Sequence, residues 1–359
     1  MKPIRVLIVD DSATVRRLLR LTLSDEAEIE VCGVAANGKI ALAMLERDVP
    51  DAITLDIEMP EMDGLTALAE IRKRYPRLPV IMFSTMTERG AVATLDALSL
   101  GASDYVTKPM IVADPAQAMA SIRQQLVPRI KSLCRKLAIA VPANCASGGL
   151  PAREGNCPIE LVAMGTSTGG PNALAKVLSV LPAEFPVPMV IVQHMPPMFT
   201  RLLADRLSLI CALPVREAIA GTPLQAGTVW IAPGNHHLVI AGLRSQCFLQ
   251  LIQTPPENFC RPSVDVLFRS VAQVFAARCL AVVMTGMGQD GLRGGEAIRS
   301  AGGRVWAQDE ASSVVWGMPG YVVQKGLAQR ILPLSHIGRE ISATVQGSEK
   351  QKFAEAASV

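Results

Sequence analysis

From residue 4 to about 133, short apolar runs alternate with longer stretches whose apolar positions recur at helical spacing. The runs at 4–9, 29–34, 52–55, 80–83 and 104–106 predict strands, and 15–23, 40–47, 65–74, 91–100 and 115–133 predict helices. Gly101 supplies the stop before the fifth strand. Strands that alternate with helices in this way build βαβ units around a parallel sheet. At 138–158 the periodicity is lost and Gly, Pro, Ser and Asn gather, which predicts a flexible connection.

Alternation resumes after residue 158, with strands predicted at 160–163, 189–193, 229–231, 280–284 and 304–307 and a helix at 173–181. Two further runs, 237–241 and 247–252, look like a hairpin. The expected class is therefore α/β throughout, in two domains: 1–125, and 158–347 as a doubly wound, mainly parallel sheet with an antiparallel hairpin. Residues 126–157 are expected to join them as a helix end followed by a flexible segment, and the polar residues 348–359 to form a disordered tail.

A length of 359 residues supports two cores. Hydrophobic residues make up 50% and aromatic ones only 4%, so Ala, Leu, Val, Ile and Met carry the packing. The balance of 35 Lys+Arg against 32 Asp+Glu, with no basic tract, argues against a nucleic-acid partner. The 8 cysteines form no Cys-x-x-Cys pair and read as reduced thiols. No signal peptide or run long enough to span a membrane is visible, so cytoplasmic localisation without membrane insertion is expected, with a monomer as the default.

Asp10 and Asp11 end the first predicted strand and Asp56 the third, and in an open parallel sheet such ends share one edge. Three carboxylates in one small volume call for a cation, and all-oxygen ligands suit Mg²⁺. Ser84 and Lys108 follow the fourth and fifth strands and bring a hydroxyl and an ammonium to the same edge. Each aspartate alone could simply cap a helix or turn. Together, Val-Asp10-Asp11-Ser, Leu-Asp56-Ile-Glu-Met-Pro-Glu-Met-Asp-Gly and Thr-Lys108-Pro109 resemble the response-regulator receiver family over about residues 1–125. That resemblance implies a flavodoxin-like (βα)5 fold, Asp56 as phosphoacceptor, Asp10, Asp11 and Asp56 as Mg²⁺ ligands, and Ser84, Tyr105 and Lys108 as switch residues. It also suggests a cis peptide before Pro109.

In the second half, Gly-Thr-Ser167-Thr-Gly-Gly lies between a strand and a helix, and the spacing fits Gly-x-Ser-x-Gly, the turn of serine nucleophiles. A phosphate-cradling reading is weaker, because Gly-x-Gly-x-x-Gly and the P-loop lysine are both missing. A base must come from His194, His236, His237 or His336. His194 follows an apolar strand directly; His236 and His237 look like solvated or hydrogen-bonded loop residues, and His336 looks structural. Asp290, in a Gly-rich turn after residues 280–284, qualifies as the orienting carboxylate, with helix capping as its alternative and Asp265 and Asp309 as competitors.

These motifs, with Gln-His194-Met-Pro, Ala-Pro-Gly-Asn-His-His-Leu, Arg-Pro-Ser-Val-Asp-Val-Leu-Phe and Thr-Gly-Met287-Gly-Gln-Asp290-Gly, resemble the chemotaxis methylesterase catalytic domain over about residues 158–345. The resemblance implies Ser167 as nucleophile, His194 as base, Asp290 as orienting acid and the Met287 N–H in an oxyanion hole. It further implies phosphorylation-activated hydrolysis of glutamate γ-methyl esters on methyl-accepting chemotaxis receptors, with glutamine deamidation as a related activity. A chemotaxis histidine kinase would be the phosphodonor, and no cofactor is expected for the esterase reaction. Residue 166 is Thr where relatives frequently carry Ala. A binding module without catalysis and a receiver-linked transcription factor are the alternatives; the intact Ser, His and Asp oppose the first, and the lack of a helix-turn-helix opposes the second.

Overall fold

In the computed structural model, which describes residues 2–108, 115–134 and 157–356, the chain forms two compact units, Met1–Lys136 and Leu137–Val359. The first alternates β1 (Ile4–Val9), α1 (Ala13–Ser24), β2 (Ile29–Ala35), α2 (Gly38–Arg47), β3 (Ala52–Asp56), α3 (Gly64–Arg74), β4 (Val80–Ser84), α4 (Glu88–Ser99), β5 (Asp104–Thr107) and α5 (Pro115–Cys134). All strand pairs are parallel, in the order β2-β1-β3-β4-β5. Every residue of β3 and β4 is buried, which is why their sequence is mostly apolar rather than alternating, with Thr54 and the strand-end Asp56 and Ser84 as the exceptions. Side chains of Ser12, Asn37, Asp63 and Thr87 cap the helices that follow them, so these turns end the strands sharply.

Leu126, Val127 and Ile130 of α5 are buried with Leu19, Leu23 and Val106 in the core of this unit. The helix end that the sequence grouped with the connecting segment thus packs against the first sheet. The remaining connecting residues 135–156, and the peptide before Pro109, lie outside the described residues.

The second unit contains β6 (Leu161–Thr166), α6 (Gly170–Leu178), β7 (Met189–Gln193), α7 (Phe199–Ile210), β8 (Val215–Glu217), β9 (Val229–Ile231), β10 (His237–Ala241), β11 (Phe248–Ile252), α8 (Val264–Phe275), β12 (Cys279–Val283), α9 (Leu292–Ser300), β13 (Arg304–Gln308), α10 (Met318–Gln324), β14 (Arg330–Leu332) and α11 (Leu334–Ala356). Its parallel sheet runs β14-β13-β12-β6-β7-β9-β8, and β10 with β11 forms the expected antiparallel pair. The three central strands β12, β6 and β7 are wholly buried. The sequence missed β8 and β14, which are three residues each at the two edges and too short to set up a pattern.

Two expectations need correction. The disordered tail beyond residue 347 is instead a continuation of α11 to Ala356. His237 is no loop residue: it opens β10 and is fully buried, with Nδ1 accepting from the Ser263 N–H and Nε2 against the Pro255 carbonyl. Among the described residues no helix is long and apolar enough to cross a membrane.

Candidate functional site

The carboxyl ends of the first sheet carry the acidic cluster. Ligand oxygens of Asp10, Asp11 and Asp56 lie within 4.8 Å of one another. Lys108 Nζ stands 2.9 Å from Asp10 Oδ2 and 2.8 Å from Asp56 Oδ2, so one ammonium faces two buried carboxylates. Asp10 Oδ1 accepts from the Ser12 N–H and Asp56 Oδ1 from the Ile57 N–H, whereas the buried Asp10 Oδ2 faces only the Lys108 ammonium. Burial, with Asp10 as a like charge beside it, pushes the Asp56 carboxyl up to about 6 despite Lys108. Burial also opposes the charge of Lys108, yet its bonds to Asp56 and Asp10 outweigh that and hold its pKa above the ordinary value.

Three carboxylates against one ammonium leave the pocket negative, and clustered carboxylate oxygens with that excess charge are what a hard divalent cation would satisfy. The donor set therefore fits Mg²⁺. Ser84 is buried, with its hydroxyl donating to the Gly90 carbonyl at 3.1 Å. Its own carbonyl accepts from the Lys108 N–H. Tyr105 lies buried on β5, its phenol raised above the ordinary pKa by burial.

The second sheet assembles its candidates at the same kind of edge. β6 and β7 end in register at Thr166 and Gln193, so Ser167 and His194 are the next residues on adjacent strands. The buried Gln193 amide ties them together: Nε2 donates to the Ser167 carbonyl at 3.0 Å and to the His194 carbonyl at 3.3 Å, and Oε1 accepts from the Thr166 hydroxyl at 2.6 Å. The hydroxyl at position 166 thus fixes which way the amide faces. A Cβ on Gly286 would lie 2.8 Å from the Ser167 Cβ, so only glycine lets the loop after β12 pass beneath the serine.

His194 Nε2 is 2.8 Å from Asp290 Oδ2. Its Nδ1 faces the Cys260 sulfur at 3.5 Å, and neither ring nitrogen bonds the Ser167 hydroxyl among the described residues. The buried Asp290 carboxylate also accepts the N–H groups of Val264 and Asp265 that open α8, with the Ser263 hydroxyl and the Asn258 amide. Burial would raise its pKa, but His194 and these helix N–H groups reverse the sign and hold it far below the usual carboxylate range. His194 is buried too, which alone would lower its pKa; the Cys260 sulfur and Asp290 outweigh this and raise it.

Asp265 completes a reciprocal arrangement. It stands in the first turn of α8, and its Oδ1 accepts from Gly291 and Gly294 at the start of α9, while Asp290, just before α9, accepts from the start of α8. The Asn258 amide bridges the two carboxylates, at 2.9 Å and 3.0 Å. Burial and then the Asp290 charge push the Asp265 carboxyl up to about 6. Asp265 does not meet His194; Asp290 does. Capping and a pairing with histidine, posed as alternatives for Asp290, turn out to be properties of the same carboxylate. Asp309 bonds Ser312 instead, and His236 and His336 lie apart from the cluster, the first against the Gly234 carbonyl and the second exposed.

Sequence reasoning missed Asn258 and Cys260, which sit more than 30 residues from their partners Asp290 and His194. Their only signal is position within the stretch just before Arg261-Pro262. Met287 is half-buried in the loop after β12, and among the described residues no hydrogen bond takes its N–H.

A family model described as CheB methylesterase matches residues 162–341, and a response regulator receiver domain model matches residues 6–122. A protein-glutamate methylesterase/protein-glutamine glutaminase of Trichodesmium erythraeum is 51% identical over 348 residues, covering 95% of this chain and 99% of that one. The chain belongs to the CheB methylesterase family. A second CheB-type relative, from a Nocardioides species and of the same name, is 49% identical over 353 residues, with 95% of each chain covered. The solved catalytic domain of the Thermotoga maritima CheB methylesterase is 39% identical, with a TM-score of 0.51, and covers 52% of this chain and 98% of that domain.

Proposed function

We propose that this chain hydrolyses glutamate γ-methyl esters on chemotaxis receptors and deamidates receptor glutamines, in the cytoplasm, under control of phosphorylation at Asp56. The observation that carries the reading is the buried His194–Asp290 pair at 2.8 Å, held at the strand end next to Ser167. The names of relatives 51% and 49% identical over nearly the whole chain supply the substrate.

With Nε2 engaged by Asp290, the reacting nitrogen of His194 is Nδ1, where the Ser167 hydroxyl would replace the Cys260 sulfur. Ser167 Oγ attacks the ester carbonyl as its proton passes to Nδ1, and the Met287 N–H donates to the oxyanion. Collapse expels the methoxy group, which takes the proton from His194 and leaves as methanol. Water, deprotonated by His194, then opens the acyl-serine, releasing the glutamate side chain and restoring Ser167. With glutamine the leaving group is ammonia. Asp290 stays ionised throughout, because the α8 N-terminus holds its charge.

In the first unit Asp56 accepts a phosphoryl group from a histidine kinase, and Asp10, Asp11 and Asp56 would hold Mg²⁺. When bound, Mg²⁺ offsets the negative charge that the phosphoryl group adds. Lys108, already facing Asp56, would pair with the new oxygens, and Ser84 and Tyr105 would shift toward them, biasing a two-state surface. In this reading the unphosphorylated receiver holds the rate of receptor demethylation down.

The test is methanol release from methyl-labelled receptor membranes, with and without a small-molecule phosphodonor. Release that rises with phosphodonor in the parent chain but not in Asp56→Asn supports the whole reading. Absence of release under both conditions removes it. A fragment of residues 150–359 should outpace the unphosphorylated full chain; a folded fragment slower than the parent would favour a receiver that activates by its presence.

A further inference from the structure

Phe259 is 93% exposed, the most exposed large hydrophobic side chain among the described residues. It occupies the tip of a tight turn in which Glu257 and Cys260 exchange backbone hydrogen bonds, N to O at 3.1 Å and 2.9 Å. Asn258 and Phe259 both have positive φ, 52° and 62°, the φ pattern of a type I′ turn. Asn suits the first position, but the second is where glycine is favoured and a bulky residue is strained.

The turn is nevertheless braced from below. Arg269 forks onto Glu257 at 2.7 Å and 2.6 Å, Asn258 bridges Asp265 and Asp290, and Cys260 faces His194. Phe259 therefore stands between two residues that each touch the His194–Asp290 pair, and nothing in its backbone position calls for an aromatic ring. Strain and water exposure are tolerated there together, which points to a contact made by the ring outside the fold.

We propose that Phe259 is a specificity residue that packs on an apolar segment of the substrate polypeptide beside the esterified glutamate. This rests on the methylesterase reading above. Such a ring would help hold the polypeptide while leaving the bond-breaking groups alone, so its effect falls on KM rather than kcat.

Phe259→Gly tests the idea, because glycine relieves the turn while deleting the ring. The full chain, phosphorylated, should show KM for methylated receptor membranes raised about tenfold, as burial of an aromatic anchor predicts. Its kcat should change less than about twofold and its Tm should equal or exceed that of the parent. Phe259→Leu should recover most of the lost affinity. Unchanged KM in Phe259→Gly overturns the proposal, as does a joint fall in Tm and kcat, which would make the ring structural. A faster unphosphorylated rate at unchanged KM also overturns it, by assigning the ring to the chain's own receiver. A parent chain that releases no methanol at all would instead fell the underlying reading, and this one with it.

Discussion

Both units gather aspartates at the carboxyl ends of a parallel sheet, yet they treat the charge in opposite ways. In the first, Asp10, Asp11 and Asp56 cluster together, and a single lysine is shared between Asp10 and Asp56. In the second, Asp290 is saturated by helix N–H groups, a hydroxyl, an amide and His194, and Asp265 by the start of the next helix. The Asp56 carboxyl is accordingly pushed up, whereas that of Asp290 is held down. One pocket is left open to a change of charge from outside; the other is closed around a fixed charge. The first arrangement suits a switch and the second suits a preorganised catalyst.

The sharpest way to separate the two pockets is Ser167→Ala. It should abolish methanol release, a loss of several powers of ten, while phosphate incorporation at Asp56 from a phosphodonor proceeds as before. Near-normal release would remove Ser167 from its role. Next in size, Asp290→Asn should cost on the order of 10⁴-fold in kcat, because the amide favours the wrong histidine tautomer. Asp265→Asn keeps an acceptor for Gly291 and Gly294 and loses only the Asn258 bond, so its main effect should be a lower Tm, about 1 kcal/mol in stability. A larger kinetic loss in Asp265→Asn at unchanged Tm would exchange their roles.

A smaller effect concerns pH. His194 must be neutral to accept a proton, and its pKa is raised, so kcat/KM should climb with pH through a midpoint above the ordinary histidine value of about 6.5. Cys260→Ala removes one of the groups that raise it, and the midpoint should move to lower pH. A midpoint that stays fixed would show that the thiol leaves the base untouched. Least in size, adding Mg²⁺ should raise the Tm of the first unit's transition by a few degrees, an increment lost in Asp10→Asn. An equal increment in the variant would place the ion elsewhere.

The fold was legible where strands are buried on both faces. Residues 189–193 and 229–231 coincide with β7 and β9, since an all-apolar run needs no alternation to be recognised. The edge strands β8 and β14 escaped because three residues carry no period. The sequence also named Ser167, His194 and Asp290, each standing directly after or near the end of a strand. It preferred Asp290 to Asp265 only because residues 280–284 form the clearer strand before it, since local pattern sees no more than a strand end or a helix cap. The geometry that separates them, which of the two reaches His194, is a tertiary distance. Asn258, Cys260 and the Gln193 clamp were invisible for the same reason: their chemistry lies in partners that folding brings near.

The strand order of the second sheet also dictates when the site comes into being. β6 pairs with β7 on one side and, on the other, with β12, whose Cys279–Val283 leaves the ribosome more than 100 residues after Leu161–Thr166. During synthesis the strand that delivers Ser167 therefore waits with one flank unpartnered, an adhesive surface for any other extended chain. A polypeptide cut short between residues 194 and 279 would carry the serine and the histidine but neither the closing strand nor Asp290. On the proposed roles of Ser167, His194 and Asp290, hydrolysis should therefore require a chain that extends past Asp290, and shorter ones should be inert toward esters and prone to clump.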